Sequence, residues 1–170
     1  MAHSVGFKPI SRKDACVLIL GTLPGAESLR RRQYYANKQN SFWKIMGELI
    51  GAVPTLPYET RLKFLVKNRI SLWDVCNAAE REGSLDSSIQ SPVPNDFISF
   101  FKTHKNIKLI CFNGQPAEKL FHRYVLPDLP EKPRLLPRII LPSTSPAHAG
   151  MRLEQKLELW RRGVGSGKGA

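Results

Sequence analysis

The sequence lacks any run of about 18 apolar residues, the length that a membrane-spanning helix needs, and residues 1–13 lack the apolar stretch of a secretion signal. Cysteine is scarce. Cys16, Cys76 and Cys111 are far apart and include no C-x-x-C pair, which excludes an iron–sulfur cluster and favours free thiols in a reducing compartment. We therefore expect a cytoplasmic protein, nucleoid-associated if its source is a prokaryote, without a metal or other cofactor.

Acidic residues are few relative to basic ones. Asp and Glu number 14 against 26 Lys and Arg, which gives a formal net charge of +12 and a pI near 10.0. This excess favours a polyanionic partner, and nucleic acid is the first candidate, although ribosomal and membrane-surface proteins share it. A chain of 170 residues suits one hydrophobic core, so we predict a single domain over residues 1–162 and a flexible glycine-rich tail over residues 163–170.

Four short apolar runs predict strands that are covered on both faces, as in a parallel sheet. They span residues 15–20, 70–73, 107–112 and 138–141. Amphipathic patterns between and after them predict helices at residues 41–50, 58–68, 95–104, 115–124 and 151–162. This alternation predicts a three-layer α/β/α sandwich with a central four-stranded parallel sheet.

Open parallel sheets bind ligands outside the carboxyl ends of their strands. Here those ends lead into GTLPG (residues 21–25), DVCN (74–77), NGQPA (113–117) and PSTSPAHA (142–149), which are also the most unusual segments of the chain. The sequence has no Walker loop, dinucleotide fingerprint, H-E-x-x-H motif, serine elbow or EF-hand loop. Common nucleotide-binding, hydrolase and metal sites are thereby excluded.

Two segments combine residue types that suit DNA, although each also has an ordinary structural explanation. The run Arg30-Arg31-Arg32 precedes Tyr34-Tyr35, so this segment combines cations that can pair with phosphates and aromatic rings that can stack on a base. The same pattern is also typical of a solvent-exposed basic face next to tyrosines of the core. Asn37 and Asn40 precede a helix, where asparagine commonly caps. Both explanations remain open at this level.

The loop after the last strand and the acid after the second strand are equally ambiguous. The hydroxyls of residues 143–145 suit a phosphodiester, and the small apolar tip that follows suits insertion into a base stack, but a Ser-Thr turn before a helix has the same composition. Asp74 either neutralises an arginine or takes part in chemistry.

Taken together and in order, these segments resemble the uracil-DNA glycosylase superfamily, most closely its hypoxanthine-DNA glycosylase branch, also called family 6. The resemblance rests on GTLPG (residues 21–25), YYANKQNSFW (34–43), LWDV (72–75), GSLD (83–86), FNG (112–114) and LPSTSPA (141–147), and it covers about residues 15–160. It implies a monofunctional enzyme that flips a deaminated base out of DNA and hydrolyses its N-glycosidic bond, which starts base excision repair.

The resemblance also assigns the catalytic candidates. Thr22 and Leu23 stand where sister families carry an aspartate or asparagine that positions water, and the branch places its catalytic asparagine in the next motif, which here means Asn40 or, as the second choice, Asn37. Leu141 replaces the histidine that precedes Pro-Ser in uracil-specific enzymes, so hypoxanthine is the expected base. Asp74 is a further catalytic candidate.

The remaining candidates fall into two groups. Those for base binding are Thr22, Leu23, Pro24, Gly25, Tyr35, Phe42, Phe112 and Asn113. Those for DNA binding are Arg30, Arg31, Arg32, Ser143, Thr144, Ser145, Pro146, Ala147 and His148. The expected substrate is double-stranded DNA with a deaminated base, bound by a monomer. The alternatives are a uracil- or mismatch-specific glycosylase on the same fold, a catalytically weak module that binds damaged DNA, and a hydrolase of nucleosides or nucleotides.

Overall fold

The structure is a computed structural model that describes residues 2–169. In chain order its strands are β1 (Ala2–Val5), β2 (Val17–Gly21), β3 (Ile70–Asp74), β4 (Cys76–Arg81), β5 (Gln90–Pro94), β6 (Leu109–Asn113) and β7 (Arg138–Leu141). Its helices are α1 (Ala26–Arg31), α2 (Phe42–Ile50), α3 (Tyr58–Lys67), α4 (Phe97–Thr103), α5 (Gln115–Tyr124), α6 (Glu131–Arg134) and α7 (Leu153–Lys168), with 3₁₀ turns at Asp86–Ser88 and Leu126–Asp128.

The central sheet consists of four parallel strands in the order β3-β2-β6-β7. The predicted fold class, a three-layer α/β/α sandwich around this sheet, is confirmed. All five predicted helices occur, as α2, α3, α4, α5 and α7. Every residue of β2, β3 and β6 is buried, because helices cover both faces of these strands, whereas the edge strand β7 is partly exposed.

Alternate residues of the sheet enter two separate cores, as the period of a strand requires. On one face, Leu20 and Phe112 pack with the phenylalanines of α4 and with Phe121 of α5. On the other face, Ile19 and Cys111 pack with α2 and α7. None of the helices described between residues 2 and 169 is long and apolar enough to cross a membrane.

A second, antiparallel sheet with the strand order β1-β4-β5 was not predicted from the sequence. The strand β4, CNAAER, has few residues of high β-propensity, and β5, QSPVP, contains two prolines, which disfavour a strand prediction. A single residue, Val75, separates β3 from β4, so the antiparallel sheet continues from the carboxyl edge of the central sheet. Residues 82–89, which connect β4 to β5, return to this edge, where Thr22 donates a hydrogen bond to Asp86 (2.5 Å).

The expected flexible tail over residues 163–170 is wrong for residues 163–168, which form the last turns of α7. Gly163 and Gly167 are buried, and a Cβ on either would lie 2.5 Å from Leu141 Cδ2 or 2.7 Å from Val17 Cγ2. The glycines therefore allow the helix to approach the sheet closely, although glycine disfavours a helix by about 1 kcal/mol relative to alanine. Residue 170 lies outside the described residues.

Candidate active site

A cleft of about 800 Å³ lies at the carboxyl edge of the central sheet, where ligands bind in open parallel sheets. The last residue of each of the four strands, Gly21, Asp74, Asn113 and Leu141, lines it. This volume is within the range of about 300–1,000 Å³ that is typical of small-molecule pockets. The cleft can therefore admit one nucleobase and part of its sugar.

Gly21 forms the centre of the cleft floor. It pairs in register with Asp74 of β3, while β6 on its other side ends at Asn113, one residue beyond the pair Leu20–Phe112. A Cβ at position 21 would lie 2.6 Å from Asp74 Oδ1 and 2.8 Å from the hydroxyl oxygen of Tyr35. Only glycine leaves room for the carboxyl group and the phenol to converge there.

Asn113 joins three parts of the site through its amide. Its Nδ2 donates to the Tyr35 hydroxyl (3.0 Å) and to Thr144 Oγ1 (2.9 Å), and its Oδ1 accepts from the Thr144 amide (2.9 Å). Both N–H groups of Nδ2 are thus in use. Asn113 is one of the predicted base-binding residues. Donation from its amide to a base would require one of these two hydrogen bonds to break.

Tyr35 is the predicted stacking residue that lines the cleft, while Phe42 and Phe112 do not. Phe42 is fully buried on α2 and stacks behind Tyr35, with ring centroids 4.1 Å apart and planes at 22°. Phe112 points into the core on the opposite face of the sheet, because residues of a strand alternate in direction. Direct contact of Phe42 or Phe112 with a base is therefore a wrong expectation.

Tyr35 also has φ of 54°, a left-handed conformation that costs a bulky residue about 1 kcal/mol or more. The stacking on Phe42 and the hydrogen bond from Asn113 hold it there. Burial raises the pKa of its phenol, so the hydroxyl remains protonated. These contacts hold Tyr35 in the cleft wall with its hydroxyl next to Gly21.

Asn37 and Asn40 both line the cleft, and both side-chain oxygens accept backbone hydrogen bonds. Asn40 Oδ1 accepts from the Phe42 amide (2.9 Å) at the start of α2, and Asn37 Oδ1 accepts from the Gln39 amide (2.9 Å). Asn40 is half-buried, whereas Asn37 is exposed. Since a carbonyl oxygen has two lone pairs, the fixed Asn40 oxygen can still accept a hydrogen bond from a water molecule in the cleft.

Asp74 is 5% exposed, and its Oδ2 has no hydrogen-bond partner among residues 2–169. Burial, and to a smaller extent the nearby Asp86, raise the pKa of Asp74, Arg81 partly offsets both effects, and the resulting pKa is about 7. No ion pair joins Asp74 to an arginine in the part of the chain that the structure describes. Arg81 therefore acts on Asp74 electrostatically, without a direct ion pair between the two side chains.

Arg81 of β4 is buried beneath the GTLPG turn, and the sequence had not singled it out. Its Nη2 donates to the carbonyl of Pro24, while Nε and Nη1 lack partners within residues 2–169. Pro24, Thr22, Leu23 and Gly25 all line the cleft, as expected for the base-binding turn. The buried guanidinium fixes the direction of one peptide group in that turn.

The loop of residues 142–149 is attached to α7 by two side chains that sequence patterns did not identify. Lys156 Nζ donates to the carbonyls of Ser143 (2.7 Å) and His148 (2.8 Å), and Trp160 Nε1 donates to the carbonyl of Pro142 (2.8 Å). Residues 143–148 all line the cleft. Pro146 to His148 are exposed at the tip, whereas Thr144 is buried, which makes Thr144 a structural residue of the loop.

Arg30, Arg31 and Arg32 do not line the cleft. Arg30 and Arg31 pair with Glu27 of α1 at 2.6 and 2.5 Å, and Glu27 itself lies on the cleft wall. All three arginines are exposed, and their pairing with Glu27 places Arg30 and Arg31 at the rim of the cleft. None of the cleft-lining residues between positions 2 and 169 is a lysine or an arginine. The excess of basic residues in the chain therefore does not extend to the lining of the cleft.

Comparison with known proteins adds three findings. Residues 8–162 match the family model of the uracil DNA glycosylase superfamily. Over 113 residues the chain is 45% identical to a hypoxanthine DNA glycosylase from Methanosarcina acetivorans and 40% identical to one from Methanosarcina barkeri, covering 66% of this chain and 72% of each relative. The solution NMR structure of a candidate uracil DNA glycosylase from Methanosarcina acetivorans is similar with a TM-score of 0.76 and 35% identity, over 95% of this chain and 98% of that one.

Proposed function

Because the chain belongs to the uracil DNA glycosylase superfamily, we propose that it is a monofunctional DNA glycosylase that flips hypoxanthine out of double-stranded DNA and hydrolyses its N-glycosidic bond, the first step of base excision repair. The observation that carries the proposal is the position of Asn40, whose amide oxygen is held by the Phe42 amide at a cleft of nucleobase size. Hypoxanthine is favoured by the two relatives and by Leu141, which cannot donate to the departing base.

Cleavage of a glycosidic bond passes through a cation on the sugar, so the site must place a water molecule and accept the departing base. An asparagine amide cannot take a proton at neutral pH, but its oxygen can orient water towards the anomeric carbon. Departure of the base then dominates the barrier, and the oriented water captures the cation. Phosphates that flank the flipped nucleotide supply negative charge near that cation.

Extrusion of a base costs a few kcal/mol, and least at a mispaired position. Stacking of the extruded base on Tyr35 offsets about 1–3 kcal/mol of that cost. The exposed tip, Pro146 to His148, fills the space that the base leaves in the duplex, while the half-buried Ser143 and Ser145 lie where hydroxyls can contact the backbone. The arginines at the rim are in reach of more distant phosphates.

The absence of a cleft lysine within residues 2–169 supports hydrolysis by water over a Schiff-base mechanism. Lys156, which lies just behind the cleft loop, is committed to two carbonyl groups. All three cysteines are buried free thiols, which suits our further expectation of a monomer in the reducing cytoplasm.

The proposal is tested by a panel of duplexes identical except for one base: hypoxanthine, uracil, xanthine or adenine. We expect release of hypoxanthine, leaving an intact strand with an abasic site, and no release of adenine. Preferred release of uracil would assign the chain to the uracil-specific alternative, and binding without release of any base would make it a damaged-DNA-binding module. A covalent adduct trapped by borohydride would contradict the monofunctional mechanism.

A further inference from the structure

Asp74 differs from the other polar residues of the cleft floor because its side chain is buried and incompletely paired. The carboxyl group ends β3 at the bottom of the cleft, next to the space left by Gly21. Its Oδ2 makes no hydrogen bond within residues 2–169, whereas the amide of Asn113 on the opposite side of Gly21 is fully engaged. A buried polar atom without a hydrogen-bond partner lowers stability by about 1–3 kcal/mol. We therefore expect a bound ligand to supply the missing hydrogen bond.

The groups that face Asp74 come from three elements, and burial together with Asp86 outweighs the opposing effect of Arg81, so that the neutral form of the carboxyl is favoured. They are Tyr34 and Tyr35 from the segment after α1, Cys76 and Arg81 from β4, and Asp86 from the 3₁₀ turn. Burial raises the pKa of both phenols and of the thiol, so these three groups stay uncharged at neutral pH. The charged neighbours are then one guanidinium, which makes a hydrogen bond to the Pro24 carbonyl, and the carboxyl of Asp86, which accepts from Thr22.

The protonation state decides what this carboxyl can bind. A carboxylate offers acceptors only, whereas a carboxylic acid offers one O–H donor beside one acceptor. Hypoxanthine, like uracil and xanthine, has a lactam edge, in which a carbonyl oxygen lies next to a ring N–H. A neutral acid matches that edge with two hydrogen bonds, whereas a carboxylate would face the carbonyl oxygen with a second negative acceptor and would oppose the charge that develops on the departing base.

We propose that Asp74 binds the extruded base as a neutral carboxylic acid, donating its proton to the carbonyl oxygen of the lactam edge and accepting a hydrogen bond from the adjacent ring N–H. The inference rests on the proposed glycosylase function and assigns to Asp74 the binding of the base. It replaces the view that Asp74 acts as a catalytic carboxylate. The O–H group also stabilises the negative charge on the carbonyl oxygen as the glycosidic bond lengthens.

Single-turnover release of hypoxanthine from a duplex, measured from pH 5.5 to 9 for the wild type, Asp74→Asn and Asp74→Leu, tests this role. The amide of Asn has a donor and an acceptor like the neutral acid but does not ionise. We expect the wild-type rate to fall as the pH rises through the pKa of Asp74, while Asp74→Asn stays within about tenfold of the wild-type rate at pH 6 and loses this fall. Asp74→Leu, which offers no hydrogen bond, should be slower by about 100-fold or more at every pH.

Two results would overturn the inference. An Asn variant as slow as the Leu variant would show that the carboxylate itself is required, and an Asn variant that keeps the wild-type fall with pH would assign the titration to another group. Circular dichroism and binding of the undamaged duplex are measured on all three proteins, so that a misfolded variant is recognised and replaced by Asp74→Val. Failure of the wild type to release any base would instead refute the proposed function, so the two failures are distinguishable.

Discussion

Replacement of Asp74 by asparagine should stabilise the fold at pH 8 and leave its stability nearly unchanged near pH 4. In the native state burial raises the pKa of Asp74 to about 7, whereas the unfolded chain has the ordinary value of 3.8. A raised native pKa contributes stability that is fully present below the unfolded value and is lost as the pH rises through the native value. The amide of asparagine does not ionise, so the free energy of unfolding of the variant should not fall for this reason as the pH rises.

The difference between the two pKa values, at about 1.4 kcal/mol for each unit, sets an upper limit of about 4 kcal/mol on the effect. Relaxation of the site and entry of water into the cleft reduce this figure, since buried sites behave as if their dielectric constant were higher than that of dry protein. We therefore expect Asp74→Asn to exceed the wild type by about 2–4 kcal/mol at pH 8. The advantage should shrink steadily below pH 7 and vanish near pH 4.

Urea unfolding at several pH values between 4 and 8 gives the free energy of unfolding for both proteins by linear extrapolation. The exposed Asp128 supplies a matched control, because Asp128→Asn makes the same substitution at a solvent-exposed carboxylate and should show no comparable trend. A difference between Asp74→Asn and the wild type that stays constant with pH would refute the reasoning. So would an Asn variant that is less stable than the wild type at pH 8, because a buried carboxylate would then be favourable.

Three further predictions concern the cleft, the last helix and the DNA. Gly21→Ala should abolish base release with the fold retained, because the new Cβ would lie 2.6 Å from Asp74 and 2.8 Å from Tyr35; wild-type turnover by this variant would contradict the description of the cleft floor. Gly167→Ala should lower stability by about 1–3 kcal/mol in thermal unfolding, whereas Gly165→Ala, with nothing within 4 Å, should raise it by up to about 1 kcal/mol; equal effects would argue against close packing of α7. Affinity for duplex DNA should fall about 100-fold or more between 50 and 200 mM salt, and a flat profile would exclude phosphate contacts.

The central sheet could be predicted from sequence because β2, β3 and β6 are short, mostly apolar and covered on both faces, and the edge strand β7 is also a short apolar run that ends at a turn. The antiparallel sheet could not, because β4 and β5 are half polar and contain alanine or proline. In addition, β4 pairs with β1, which is distant in sequence, and no local pattern reports such a contact.

The position of the site followed from one topological rule, but its connections did not. The rule that ligands bind beyond the carboxyl ends of parallel strands identifies four of the segments that line the cleft, but not the segments with Asn40 and Asp86. The hydrogen bonds of Asn113 to Tyr35 and Thr144, and those of Lys156 to the cleft loop, join residues that are 8 to 78 positions apart along the chain. Only the tertiary structure brings these groups together.

One missed contact and one wrong expectation at the site have local causes that the sequence did contain. Had α1 been predicted, Glu27 would have been recognised as the partner of Arg30 and Arg31 at helical spacings of three and four residues. Phe112 alternates with Cys111 along β6, and alternation already assigns one of the two residues to each face of the sheet. Which of the two faces receives α2 and Tyr35, however, is decided by the path of the whole chain.

The most direct test of the water-positioning role compares Asn40→Ala with Asn37→Ala in single-turnover release of hypoxanthine, together with the affinity of each variant for the same duplex. We expect Asn40→Ala to slow release by about 100-fold or more, as for loss of one preorganised polar group, while its DNA affinity stays within about threefold of the wild type. The exposed Asn37 should tolerate alanine with little change in rate. Equal and rapid release of hypoxanthine by Asn40→Ala and the wild type would contradict the central claim that the Asn40 amide orients the attacking water.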